Sequence, residues 1–172
     1  SFTASNRRAN RLSSWLTIAA LNTYCLYPDG FGTASAGMMC GGSGLSKTEK
    51  YNGSTWATDD PLANNSLGPI TAGTESAGLC GGAFSGSYLK TFEEYNGTSF
   101  ASGGTSSTVH ALGAGLGTQT AALAAGGQFG VIATTEEYDG TTWAAGGTMP
   151  AVRTRFSGGG TQTSGVVFGG TT

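Results

Sequence analysis

The sequence predicts an all-β fold built from four copies of one short repeat, and three observations carry that prediction. Residues 134–170, TTEEYDGTTWAAGGTMPAVRTRFSGGGTQTSGVVFGG, hold four short β-prone runs, each bounded by glycine. A hairpin with a Tyr, and an aromatic five residues further on, recurs as EKYNGSTW (49–56), EEYNGTSF (93–100) and EEYDGTTW (136–143). Trp15, Trp56, Phe100 and Trp143 are each followed seventeen residues later by a Gly-Thr pair, at Gly32, Gly73, Gly117 and Gly160. Each Gly-Thr leads into a short apolar run ending in Gly-Gly: MMCGG, GLCGG, LAAGG and VVFGG. Self-similarity at a regular period is the mark of a repeat architecture.

The elements follow in order. Residues 25–33, 66–74, 110–118 and 153–161 are dense in Gly and Ala. They are expected to be the first, innermost strand of each unit, where strands converge and leave little room for side chains. Pro28 and Pro69 suit strands that lack a partner on one side. The apolar runs 37–40, 78–80, 122–125 and 165–168 are expected to be buried central strands. The connections from Gly-Gly to Tyr vary, at 10, 14 and 12 residues, which marks surface loops. Thr134 to Tyr138 and Thr141 to Ala144 flank Asp139-Gly140, an Asx-Gly pair suited to a two-residue turn with both residues at positive φ. Gly97 and Gly140 are therefore expected at positive φ.

The residues that carry this pattern resemble the kelch repeat. They are Gly41-Gly42, Tyr51 and Trp56, then Gly81-Gly82, Tyr95 and Phe100, then Gly126-Gly127, Tyr138 and Trp143, with Gly169-Gly170 and Trp15 at the two ends. Pro150-x-x-Arg153 is similar to the family's Pro/Arg element, in the last copy alone. The resemblance covers most of the chain. It implies a single β-propeller domain over 1–172, with repeats at about 34–74, 75–118 and 119–161. A fourth blade would come from 150–172 plus 1–17. If the ends are joined, the path from Gly169 to Asn10 is 13 residues, within the 10 to 14 seen elsewhere. The expected architecture is thus four-bladed, the last blade closed by the N-terminal strand. Arg7, Arg8 and Asn10 depart from the pattern, because Asn10 stands where the others have Tyr. The short Gly/Thr-rich units look closest to propeller repeats of bacteriophage and other extracellular structural proteins.

Charged residues are 10% of the chain and the net charge is −2. This composition does not fit a disordered acidic or basic tail, and the 31 glycines follow no Gly-x-y period, so collagen is excluded. The small cluster Arg7, Arg8, Arg11 is read as a solvated face, so no nucleic-acid partner is expected. No apolar run approaches eighteen residues, so no membrane-spanning helix is expected. The chain begins with Ser1, which suits a processed product or a segment of something longer. Cys25, Cys40 and Cys80 are odd in number. Cys40 and Cys80 fall at one repeat position before Gly-Gly, shared with Ala125 and Phe168, and are read as packing thiols rather than a disulfide or metal site.

No catalytic residue, cofactor or metal is expected. His110 is the single histidine, it shares its repeat position with Cys25, Ser66 and Arg153, and no motif gives it a carboxylate. Copper-oxidase relatives within the kelch family need a His/Tyr ligand set that one histidine cannot supply. Glu93-Glu94 and Glu136-Glu137 precede a hairpin Tyr and read as alternating faces of a strand rather than a paired-carboxylate site. Asp29 and Asp59-Asp60 lack calcium-loop spacing. Asn52, Asn64 and Asn96 match the glycosylation sequon, but Asn52 and Asn96 fall on the hairpin turn, which explains them better. Trp56, Phe100 and Trp143 are expected to pack between units. Candidate ligand loops carry Phe84, Tyr88 and Phe129. The functional expectation is a non-enzymatic structural or adhesive module, extracellular or on a virion, forming a homo-oligomer or filament. The alternative is a glycan-binding module that uses the loop aromatics.

Overall fold

The computed structural model describes residues 19–128 and 132–172. Trp15, Phe129 and the closing segment 1–17 lie outside the described residues. Asp29–Thr33 (β1), Ala36–Cys40 (β2), Thr48–Tyr51 (β3) and Trp56–Thr58 (β4) form a first antiparallel sheet in chain order. Ile70–Thr74 (β5), Ala77–Gly81 (β6), Thr91–Tyr95 (β7) and Phe100–Thr105 (β8) form a second. Ala114–Thr118 (β9), Ala121–Gly127 (β10), Ile132–Tyr138 (β11) and Trp143–Thr148 (β12) form a third. Thr154–Gly160 (β13) and Gly165–Thr171 (β14) pair as a two-stranded fourth. The all-β class is therefore observed, each sheet is a meander, and the second, third and fourth sheets each begin after the aromatic strand of the sheet before.

The first strands meet one another in series: β1 lies beside β5, β5 beside β9, and β9 beside β13. Crowding there explains the small residues. A Cβ on Gly115 would sit 2.3 Å from the Thr71 carbonyl oxygen of the neighbouring first strand. Just ahead of these strands, Tyr27, Gly68, Leu112 and Arg155 occupy equivalent places, each five residues before the Gly of Gly-Thr. All four are left-handed, with φ of 54°, 61°, 60° and 55°. The Gly68 N–H donates to Tyr27 O (3.0 Å), Leu112 N–H to Gly68 O (2.8 Å) and Arg155 N–H to Leu112 O (2.7 Å). This relay stitches the four sheets together at one end of the molecule.

The sheets pack face to face. Met38, Cys40 and Phe31 of the first meet Cys80, Tyr95 and Phe100 of the second, with Leu62 from the linker. Ile70, Ala72, Leu79 and Phe92 of the second meet Ala122, Ala124 and Tyr138 of the third. The third and fourth meet through a smaller cluster of Ala114, Ala125 and Phe156, with Met149 against it.

Three expectations are corrected. The hairpin connections are four residues long, not two, because Tyr51 pairs with Trp56, Tyr95 with Phe100 and Tyr138 with Trp143. Gly53, Gly97 and Gly140 have φ of 92°, 95° and 93°, but the Asx residue before each does not share the positive φ. Its side chain closes the turn instead: Asp139 Oδ1 accepts from Thr141 N (2.8 Å) and Thr142 N (2.7 Å). Asn52 and Asn96 do the same. Gly140→Val forces a β-branched residue to positive φ against Thr120. It is expected to lower stability by about 1–3 kcal/mol in a thermal melt.

The second correction concerns the cysteines. Register counted from the first turn pairs Gly32 with Gly37, Gly73 with Gly78 and Gly117 with Ala122. On that count Gly81 stands in the place of Cys40 and Ala125, and Cys80 in the place of Met39 and Ala124. The left-handed step made by Gly41 (φ 63°) and Gly126 (φ 59°) is made by Gly82 (φ 65°) in the second sheet. Its Gly-Gly is shifted by one residue, and a one-residue shift turns a side chain to the other face. Cys40 and Cys80 are therefore not equivalent. Cys40 faces the second sheet, and Cys80 faces the first.

Third, β14 is not a buried central strand. Every residue in it is exposed, Val166 at 65% and Phe168 at 59%. The reason is tertiary: among the described residues no strand pairs with its far edge and nothing covers this face.

Candidate binding site

The residues singled out for chemistry are mostly held in bonds between strands and linkers. Glu49, Glu93 and Glu136 stand on the third strands of the first, second and third sheets and grip the linker entering each of those sheets. Glu49 accepts from the backbone N–H of Asn22 and Thr23, both at 2.7 Å. Glu93 accepts from Ala63 N at 2.9 Å. Glu136 accepts from Ser107 N (2.7 Å) and Thr108 N (2.8 Å). The second carboxylates lie on the opposite face, as expected: Tyr138 donates its hydroxyl to Glu94 at 2.9 Å, and Glu137 is exposed. Burial raises the Glu93 carboxyl above its ordinary value, helped by Asp60. Burial also pushes Glu136 up, but hydrogen bonds from Ser107, His110 and Thr108 outweigh it and hold that carboxyl low.

His110 is fully buried. Its Nδ1 lies 2.8 Å from Gly126 O, a pure acceptor, so Nδ1 carries a hydrogen. Its Nε2 lies 2.9 Å from Glu136 Oε2. Arg153, at the equivalent place in the fourth sheet, donates to the equivalent carbonyl, Gly169 O, at 2.7 Å. In the third and fourth sheets the slot thus ties the entering linker to the Gly-Gly bend of its own sheet. The carboxylate partner of His110, 26 residues away, had no signal in the sequence.

The hairpin aromatics stack within their own hairpins. Tyr51 stacks on Trp56 at 5.0 Å, Tyr95 on Phe100 at 4.7 Å and Tyr138 on Trp143 at 4.9 Å. Trp143 also reaches Phe92 of the second sheet at 4.2 Å. Asp59 and Asp60 bridge to the second sheet, accepting from the Tyr95 hydroxyl and from Phe100 N. Burial, then the Asp59 carboxylate, holds the Tyr95 hydroxyl well above the ordinary phenol range. Lys50 completes this node, 2.7 Å from Glu75 and 3.0 Å from Gly97 O. Among the described residues no group of three His, Cys, Asp or Glu side chains could hold a metal, and no helix is long and apolar enough to cross a membrane.

Two cavities open at the end marked by the backbone relay. One, of about 440 Å³, lies where the four first strands converge and is lined by Tyr27, Asp29, Thr71, Leu112, Arg155 and Phe156 among others. The other, of about 580 Å³, is walled by Leu26, Tyr27, Leu67 and Phe84, with Ser43, Asn65 and Ser85 supplying polar groups. Tyr27 borders both. Phe84 is anchored by its backbone pairing with Leu67 and stacks with Tyr88 at 5.0 Å. The structure thus brings the Phe84 loop together with Leu26 and Tyr27, which sequence reading missed, since their Tyr, Gly, Leu, Arg repeat position has no common residue type.

Burial pushes the half-buried Asp29 carboxyl up to about 6, only partly offset by hydrogen bonds from Gly30 and Thr71. A folded value above the unfolded one, near 3.8, means the native state holds this proton more tightly. Stability is then greatest below that unfolded value and declines as pH rises towards 6. Asp29→Asn is expected to match the native protein at acid pH and to exceed it by about 1–3 kcal/mol above neutrality. Melting curves across pH check this; a constant offset counts against it.

No protein-family model matches the chain, and a search of curated proteins returned no match.

Proposed function

We propose that this chain is a non-enzymatic structural or adhesive module, a kelch-like propeller of four blades that assembles with copies of itself outside the cell or on a virion. The observation that carries the reading is the outer strands. WAT (β4), FASGGT (β8) and WAAGGT (β12) end their sheets and hold not one charged residue or proline. Natural proteins guard such edges with charge; unguarded ones invite pairing between copies. The serial first strands and the Tyr27–Gly68–Leu112–Arg155 relay support a propeller axis. Residues 1–17, carrying Trp15, would add the missing aromatic strand beyond β14.

Sedimentation over a wide concentration range tests this. Assembly that grows with concentration is expected, and Ala101→Lys with Ala144→Lys, both exposed, should hold the protein monomeric. A wild type that stays monomeric when concentrated sinks the reading. Closure within the chain has its own test. Gln119 and Gln162, from the first turns of the third and fourth sheets, each reach back to two carbonyls of the preceding sheet. The first sheet has Ala34 at that place. If the fourth blade lies behind the first, Ala34→Gln supplies the missing bonds and raises the melting temperature.

The second reading, a glycan-binding module, is favoured by the cleft beside Phe84: aromatic walls with hydroxyl and amide groups suit a sugar ring. Glycan-array binding that persists in the Lys edge variants and disappears in Phe84→Ala would support it.

A further inference from the structure

We propose that Cys40 and Cys80 are the two halves of a disulfide that staples the first sheet to the second, formed by exchange with a small disulfide such as oxidised glutathione. The inference goes beyond the structural role above, and it rests on the one-residue shift in the second Gly-Gly. Had the two cysteines been equivalent, both would point the same way round the molecule and never meet. The shift turns them towards each other. Both are buried, at 0% and 1% exposure, in the single cluster between these sheets. Register places Cys40 opposite Asp29 and Cys80 opposite Thr71. Those two first-strand partners are themselves joined, since Asp29 accepts from Thr71 and the Thr71 hydroxyl donates to Gly30 O at 2.9 Å. One strand further out, Cys40 and Cys80 share one buried cluster and are close enough for each thiol to perturb the other. Cys25 is half-buried beside Gly42 and belongs to no such pair.

The chemistry balances as follows. One cysteine thiolate attacks the glutathione disulfide, forming a mixed disulfide and releasing one glutathione thiolate. The second cysteine thiolate then attacks the protein sulfur of that mixed disulfide and expels the other glutathione. Two protein thiols lose two electrons and two protons, and one glutathione disulfide becomes two thiols. The neighbouring Cys40 thiol and burial together raise Cys80 well above its ordinary range in the closed fold. Exchange therefore proceeds while the sheets are apart, and packing then seals the product in a dry interface.

The experiment refolds full-length Cys25→Ser in oxidised glutathione and then denatures and alkylates it. Both remaining thiols are expected to be blocked, with a mass two hydrogens below that of the reduced protein. The melting temperature is expected to rise by roughly 10 °C over the reduced form, as a long enclosed loop implies. Two alkylated thiols, or glutathione adducts as the only products, overturn the proposal. Should that variant not fold, peptide mapping of the oxidised wild type decides: a 40–80 link supports the assignment, and a link through Cys25 or three free thiols defeats it.

Discussion

Glu136→Ala is expected to lower stability by on the order of 4 kcal/mol, the range found when one partner of a buried polar pair is removed. Two donors, the Ser107 and Thr108 N–H groups, lose their acceptor at once, and His110 Nε2 loses its carboxylate partner. His110 is wholly enclosed, so water cannot replace the carboxylate. Glu49→Ala, which strands the linker at Asn22 and Thr23 but no buried ring, is expected to cost about half as much. Urea unfolding of the two variants measures the difference, and equal losses would count against a special role for the His110–Glu136 pair. The acid limb adds a second signature. The Glu136 carboxyl is held below its ordinary 4.5. Its contribution is therefore complete above that pH and is lost as pH falls through the lower folded value. Glu136→Ala should flatten this part of the stability curve.

Gly115→Ala is expected to cost about 3 kcal/mol, the upper range for overpacking. The added Cβ meets three backbone atoms of Thr71, at 2.3, 2.9 and 2.9 Å. Backbone cannot rotate away, so β5 and β9 must separate. Gly159, also on a first strand, has nothing within 4 Å of a Cβ. Gly159→Ala should be neutral or stabilise by about 0.5 kcal/mol through the unfolded chain. Differential scanning calorimetry on both variants isolates the crowding, because the substitution is identical and only the neighbour changes. Similar melting temperatures would rule out a close approach of the first strands.

The expected assembly sits on the same structural logic. β8 and β12 pair on one edge only and lack charge, so edge recognition needs no side-chain complementarity. The end bearing Tyr27 and Phe84 is separate from those edges. The proposed assembly and the proposed glycan binding can therefore be tested by independent substitutions.

What the sequence determined by itself is the set of features whose cause is local. The Tyr-Asx-Gly-aromatic hairpin and its glycine at positive φ were legible because Asx-Gly marks a tight turn, while the turn's length and its closure by the Asx side chain were not. The all-β class was legible for a like reason, from short β-prone runs bounded by glycine. Only the tertiary structure decided which face a side chain takes and what it meets there. Cys40 and Cys80 look equivalent when counted from Gly-Gly and prove opposite when counted from the first turn, because pairing register, not motif, sets the face. The left-handed backbone at Tyr27, Leu112 and Arg155 has no residue-type signal, since the bond that holds each comes from, or goes to, the next sheet. VVF in β14 carries the same apolar pattern as the central strands before it and is nonetheless exposed. Hydrophobicity shows that a strand can be buried, but burial also requires a neighbour, and a neighbour is a property of the assembled sheets.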